Sequence, residues 1–147
     1  MLQNIKIAAL KKEDIPLFTK LWNQDPTLLT SSRFIMTNEK ALKGFNEKMF
    51  DYFGLYKKNK LIGFVLYQHI DNEIWLKHIL IDKKNRKLKF GSKLLKGSLA
   101  LYKDKEIKTE VIIGNDAAKN FFILNDFKIL FRDEKNKQDI LSYKTTN

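Results

Sequence analysis

The residues best placed for chemistry lie at positions 79–95: Ile-Leu-Ile-Asp-Lys-Lys-Asn-Arg-Lys-Leu-Lys-Phe-Gly-Ser-Lys-Leu-Leu. Apolar strand residues run into a short basic loop, and that loop opens directly into a helix near Phe90. The first amides of a helix have no partner within it. They point outward together, and the helix dipole adds partial positive charge. Such a junction cradles a phosphate without any special side chain. The cradle would be Arg86, Lys87, Leu88, Lys89, Phe90, Gly91 and Ser92. Gly91 lets the backbone come close to an anion, and Arg86, Lys87 and Lys89 add charge. The competing reading is an ordinary strand–helix loop on a basic protein.

Composition closes off other chemistries. There is no cysteine, which excludes a disulfide scaffold, a thiolate nucleophile and a Cys-built zinc site. Two histidines, His69 and His78, are too few for a His-rich metal centre, so no metal is expected. No apolar run approaches the ~20 residues of a membrane span. The opening Met1-Leu2-Gln3-Asn4-Ile5-Lys6 lacks the basic-then-apolar order of a signal peptide. The expectation is a soluble cytoplasmic protein with no membrane partner. The formal charge of +11 could attract nucleic acid, anionic membrane or a phosphorylated ligand. The 28 basic residues are spread along the chain, however, and a lysine-rich proteome is the plain alternative.

The elements that must position the cradle can be read from periodicity. Residues 3–9 read as a short strand. Glu13-Asp14-Ile15-Pro16 marks a helix start, and Ile15, Phe18, Leu21 and Trp22 follow on one helical face. Gln24-Asp25-Pro26 ends that helix, and residues 26–37 are irregular. A second helix is expected from Asn38 to about Phe50. The period then changes to two. Residues 52–57 and 60–70 read as an antiparallel hairpin turning at Asn59. Residues 73–82 form a third strand, apolar on both faces at its centre, as in mid-sheet. A helix to about Lys103 follows the basic loop. Then come a strand at 107–113, a helix capped by Gly114-Asn115-Asp116, and strands at 127–132 and 139–144. The fold class is α/β (α+β), one domain over residues 1–147, with a parallel crossover between the strands at 73–82 and 107–113.

Here the chain resembles the GNAT (Gcn5-related N-acetyltransferase) superfamily. Its acetyl-CoA signature is Gln/Arg-x-x-Gly-x-Gly/Ala, five residues after the last apolar residue of a central strand. Ile81 ends that strand, Arg86 takes the opening place and Gly91 the closing one, while Lys89 stands in place of the middle glycine. Downstream, residues 115–127 resemble the family pattern Asn-x-x-Ala-x-x-x-Tyr-x-x-x-Gly-Phe. Asn115, Ala118 and Phe127 match; Phe122 replaces the tyrosine and Asp126 the glycine. The resemblance spans essentially the whole chain. It implies a mixed, mostly antiparallel central sheet with one parallel strand pair and flanking helices.

The resemblance also implies direct acetyl transfer from acetyl-CoA, as cosubstrate, to an acceptor amine on a small molecule, a peptide N-terminus or a lysine. Main-chain groups near Ile79 and Ile81 would hold the pantetheine arm, and the 86–92 loop the pyrophosphate. Asn115 and Phe122 would also border the coenzyme. Phe122 has no proton to give the leaving thiolate, although a thiolate with pKa of about 8.5 leaves tolerably well unaided. For the base, His78 and Glu73 lie on the central strand. Equally, His78 can be a packed strand residue with one satisfied hydrogen bond, and Glu73 an ordinary exposed acid. Phe18, Trp22, Phe45 and Trp75 are core or acceptor-pocket residues, and Ser31-Ser32-Arg33 falls in the family's variable substrate loop. Two rival readings remain: a degenerate acetyl-CoA binder with little turnover, and a basic nucleic-acid module using Tyr52, Tyr56 and Tyr67. No RNA-binding signature supports the second. The state is monomer or homodimer.

Overall fold

In the computed structural model, which describes residues 4–24, 35–86 and 89–145, the alternating segments form a single mixed sheet. Its strands are β1 (Ile5–Ala9), β2 (Asp51–Lys57), β3 (Lys60–Ile70), β4 (Glu73–Ile81), β5 (Glu106–Ile112), β6 (Lys128–Asp133) and β7 (Gln138–Lys144). They lie in the order β1-β2-β3-β4-β5-β7-β6. Every neighbouring pair is antiparallel except β4–β5, so the expected parallel crossover is present at the centre. The helices are α1 (Ile15–Gln24), α2 (Asn38–Asn46), α3 (Phe90–Leu99) and α4 (Asp116–Leu124). Element order and fold class agree with the sequence reading.

The sheet separates two apolar layers. Phe18, Leu21 and Trp22 of α1 and Ala41 of α2 pack on Phe64, Leu66 and Leu80. On the opposite face Phe90, Leu94 and Leu95 of α3 and Phe122 of α4 pack on Val65, Leu76 and Ile81. The β2–β3 hairpin turns on Lys58 and Asn59, both at positive φ (50° and 68°), as a two-residue turn matched to strand twist requires.

Two helices stop earlier than their periodicity suggests. The second ends at Asn46 rather than near Phe50. Lys48 takes a left-handed φ of 54°, its amide bonds the Phe45 carbonyl, and the Met49 amide bonds that of Gly44. This pair of bonds is a Schellman stop. It turns Met49 and Phe50 out of the helix. Similarly α3 ends at Leu99 rather than near Lys103.

The end of α4 explains one departure from the family pattern. Asp126 sits at φ 73°, its amide bonds the Ile123 carbonyl, and the Phe127 amide bonds that of Phe122. This is again a Schellman stop, and Phe122 and Phe127 are its apolar pair, their rings 5.1 Å apart. The Gly-Phe of the family pattern therefore has a physical meaning: a left-handed residue, then an apolar anchor. Asp tolerates that conformation better than most residues. Replacing Asp126 by Gly should raise stability by up to about 1 kcal/mol, and by Val should lower it by at least about 1 kcal/mol. Thermal denaturation of the two variants checks the sign.

Candidate functional site

The site begins where β4 leaves β5. Only Ile74, Trp75 and Leu76 pair with β5, opposite Ile107, Lys108 and Thr109. At the last pair the Thr109 hydroxyl donates to the Leu76 carbonyl over 3.0 Å, inside the protein. Lys77 follows as a bulge, because Leu76 faces Tyr67 on β3 while His78 faces Leu66. A bulge bends its strand and sharpens the twist. From residue 77 to Ile81, β4 pairs with β3 alone, and a cleft opens toward β5. Lys77 reaches across it to Glu110, Nζ to Oε1 over 2.5 Å.

The main chain lining this cleft can be assigned. The Asp82 amide bonds the Ile62 carbonyl on β3. In an antiparallel ladder, bonding direction alternates residue by residue. His78 and Leu80 therefore turn their N–H and C=O toward β3, and Ile79 and Ile81 turn theirs toward the cleft. The Ile81 carbonyl is occupied, since it accepts from Arg86 Nε over 2.9 Å.

At the end of the cleft stands the start of α3. The first helical bond runs from the Lys93 amide to the Lys89 carbonyl. Among the described residues nothing accepts from the amides of Phe90, Gly91 or Ser92, and no side chain caps the helix. Beside them Arg86 Nη2 is buried without a hydrogen-bond partner. An orphaned guanidinium nitrogen and three open amides suit an anionic group bearing several acceptor oxygens. Lys87 and Leu88 lie outside the described residues. Lys89 is left-handed, at φ 63°, which explains why the family signature has glycine there. Gly91 serves packing: a Cβ there would sit 3.3 Å from the Phe121 ring of α4, so the glycine lets the two helices close up.

Three positioning groups carry no motif and were not foreseen. Asn125, buried, donates through Nδ2 to Ser92 Oγ (3.2 Å) and to the Phe121 carbonyl (2.8 Å), tying the end of α4 to the start of α3. Gln24 at the end of α1 donates to Asp82 (2.9 Å) and accepts from the Lys83 amide (3.2 Å), fixing the loop from the other side. Thr109 closes the ladder. Only the spatial neighbours of these residues reveal them. A concavity of about 460 Å³ next to the loop is bordered by Lys20, Lys57, Lys58, Lys60 and Lys84, so the surrounding potential is strongly positive.

The remaining candidates are dispersed. Asn115 is exposed and caps α4, its Oδ1 accepting from the Ala118 amide over 3.2 Å. Phe122 is 5% exposed and packs on Phe121 and Phe127. Glu73 begins β4, at the far end from the cradle. It is ion-paired with Lys108, which holds its carboxyl below the usual range. Trp75 stands beside the same Lys108, 5.9 Å from ring centroid to Nζ. Phe18 and Trp22 are both core and cavity wall, and Phe45 packs against their layer. Tyr56 and Tyr67 are buried and bonded to Asp14 and Ser98, so they form no exposed stacking platform. Ser31-Ser32-Arg33 lies outside the described residues. No helix among the described residues is long and apolar enough to cross a membrane.

The profile of the Acetyltransferase (GNAT) family matches residues 8–125. The chain belongs to the GNAT family. Solved structures agree in fold. The PaiA N-acetyltransferase of Thermoplasma acidophilum, in complex with coenzyme A, is 18% identical, with 96% of this chain and 99% of that one covered and a TM-score of 0.76. An N-acetyltransferase of Staphylococcus aureus Mu50 is 17% identical over 97% and 98%, with a TM-score of 0.77. The putative acetyltransferase YncA of Salmonella typhimurium, with acetyl-CoA, is 10% identical over 98% and 95%, with a TM-score of 0.78. A search of curated protein sequences returned no match.

Within this GNAT fold His78 turns to the α1–α2 face, away from α3. Its ring lies 4.7 Å from Trp22 and 6.0 Å from Phe50, and Nδ1 is buried with no partner. Burial, aided by the Lys77 charge and opposed only by Glu110, pushes the imidazole down to about 4. The unfolded chain, titrating near 6.5, therefore binds the proton more tightly than the folded one. Stability from this group is complete above about pH 6.5 and is lost as pH falls toward 4, by about 2 kcal/mol between pH 7 and pH 5. Urea denaturation at the two pH values should show that drop, and His78→Gln should flatten it; an equal drop in the variant would assign it to another group.

Proposed function

We propose that the chain is an N-acetyltransferase that moves an acetyl group from acetyl-CoA directly to an acceptor amine. The observation that carries this is the set of open amides at Phe90, Gly91 and Ser92 beside the unpartnered Arg86 Nη2, at the end of the β4–β5 cleft. These groups would hold the pyrophosphate. The Ile79 main chain and the Ile81 amide would hold the pantetheine arm. Acetyl-CoA, when bound, supplies the acyl group as a thioester.

The acceptor amine forms its amide bond as the C–S bond breaks; it gives up one proton, and the departing thiolate takes one. Placement of the amine against the cleft supplies much of the rate by proximity. His78 is neutral at neutral pH, so it can accept a hydrogen bond from the amine. Its weak basicity suits orientation better than full proton removal, which falls to water. Glu73 is less suited, since it is neutralised by Lys108 at the other end of β4. Three of the five tyrosine hydroxyls are already engaged, Tyr56, Tyr67 and Tyr102 being bonded to Asp14, Ser98 and Asp51; Tyr143 packs on Phe127, the ring partner of Phe122. The thiolate leaves unassisted or takes its proton from water or from another tyrosine. Buried Phe122 also favours a second reading, an acetyl-CoA binder with little turnover.

Acetyl-CoA at a thousandfold excess over its dissociation constant should stabilise the protein by about 4 kcal/mol, seen as a rise in melting temperature. Arg86→Ala should weaken that effect at least tenfold in ligand concentration. A flat response would remove both readings.

Phe122→Tyr should raise kcat roughly tenfold if proton delivery limits turnover. Unchanged kcat would mean that solvent or another tyrosine already delivers it. Equilibrium unfolding of the same variant should show a cost of about 1–3 kcal/mol where the new hydroxyl finds no partner.

A further inference from the structure

The sheet face opposite α3 holds a cavity of about 430 Å³ between α1, α2 and β2–β3. Its walls are the rings of Phe18, Trp22, Phe50 and Tyr52, with Leu66 and Gly44 between them. The Schellman stop after α2 is what places Phe50 there. Tyr52 on β2, Leu66 on β3 and His78 on β4 are consecutive register partners, so they form one row on this face. At ~4.8 Å per strand, Tyr52 and His78 stand about 10 Å apart. His78 touches two of the wall residues, Trp22 and Phe50. It is also the residue before Ile79, whose main chain faces the cleft. The cavity thus adjoins the place where a thioester would be attacked.

Its chemistry is one-sided. The walls are aromatic and aliphatic. The Tyr52 hydroxyl is without a hydrogen-bond partner among the described residues, and burial pushes its pKa up to about 12. The lining holds one carboxylate, Glu47, on a border shared with Lys40 and Lys43. Among the described residues no group of three or more histidine or acidic side chains is arranged to hold a metal ion. Among the described lining residues a polycationic acceptor would find a single countercharge, whereas an apolar body would bury its surface against the rings.

We propose that this cavity selects the acceptor, and that the acceptor is a primary amine bearing one bulky, uncharged apolar group. A free arylalkylamine and a peptide N-terminus with a large apolar first residue both present that chemistry. The inference rests on the acetyl-transfer reading, but the cavity can be probed without the coenzyme.

The probe is Trp22 fluorescence in the Trp75→Phe protein. It is titrated with 2-phenylethylamine, with a Phe-Ala-Ala peptide amide and with spermidine. Saturable quenching by either apolar amine, at least tenfold tighter than by spermidine, is expected; the tighter of the two apolar ligands identifies the source. Gly44→Leu should weaken it at least tenfold, because even a Cβ at residue 44 meets the Tyr52 hydroxyl at 3.1 Å. Phe50→Ala, at a half-exposed wall, should weaken it severalfold and serves if the leucine variant folds poorly. No quenching by the apolar amines, spermidine binding as tightly, or indifference to both variants would each overturn the proposal. Failure of acetyl-CoA to raise the melting temperature would instead overturn the coenzyme reading, so the two failures are distinct.

Discussion

The constraint on which the structure depends is the separation of β4 from β5 after Leu76. A parallel pair that stayed zipped would bury its own main chain in ladder bonds. Here the ladder stops after three pairs, closed by the Thr109 hydroxyl and bent by the bulge at Lys77. Main-chain groups at Ile79 and Ile81 are left facing a cleft instead of a strand. Unpaired backbone is costly when buried, so the opening persists because the packing on both faces of β4 holds it. The α3 layer grips Leu76 and Ile81, and the α1 layer grips Leu80.

The cradle at the end of the cleft is assembled from weak, convergent restraints. Gln24 holds the loop from α1, Arg86 Nε holds it from β4, and Asn125 holds the start of α3 from the end of α4. Each of these hydrogen bonds is of modest worth, about 1 kcal/mol net. Together they fix a left-handed residue, Lys89, at the helix start and leave its amides outward. Two of the three departures from the family patterns, Lys89 and Asp126, fall on left-handed positions of the backbone. The fold tolerates them because the strain is local and the packing around each is retained: Gly91 against Phe121, Phe122 against Phe127.

The sheet also divides labour between its faces. The α3–α4 face carries the groups suited to an anionic coenzyme, and the α1–α2 face carries an apolar cavity that ends at His78. The bulge links them, because it resets the alternation so that His78 points to one face and Ile79 to the other. Burying an imidazole there keeps it uncharged, which preserves an acceptor for a hydrogen bond in otherwise dry surroundings.

Much of this was determined by the sequence alone. Alternation over residues 52–82 required a hairpin and a central strand. The helix beginning at Phe90 after a basic loop required an exposed helix start. The paired signatures around Arg86 and Asn115 indicated the GNAT family, because local periodicity and turn chemistry are properties of neighbours in the chain. What the tertiary structure alone decided concerns residues far apart in sequence. Strand splay, the partnering of Glu73 with Lys108, the drying of His78 by Trp22 and Phe50, and the tie from Asn125 to Ser92 all join positions that no spacing rule connects. Helix ends at Asn46 and Leu99 belong to the same class: the periodic pattern continued beyond both, and a left-handed Lys48 stopped the first. Side-chain type records what a residue can do; which partner reaches it, and whether water does, is set by the folded chain.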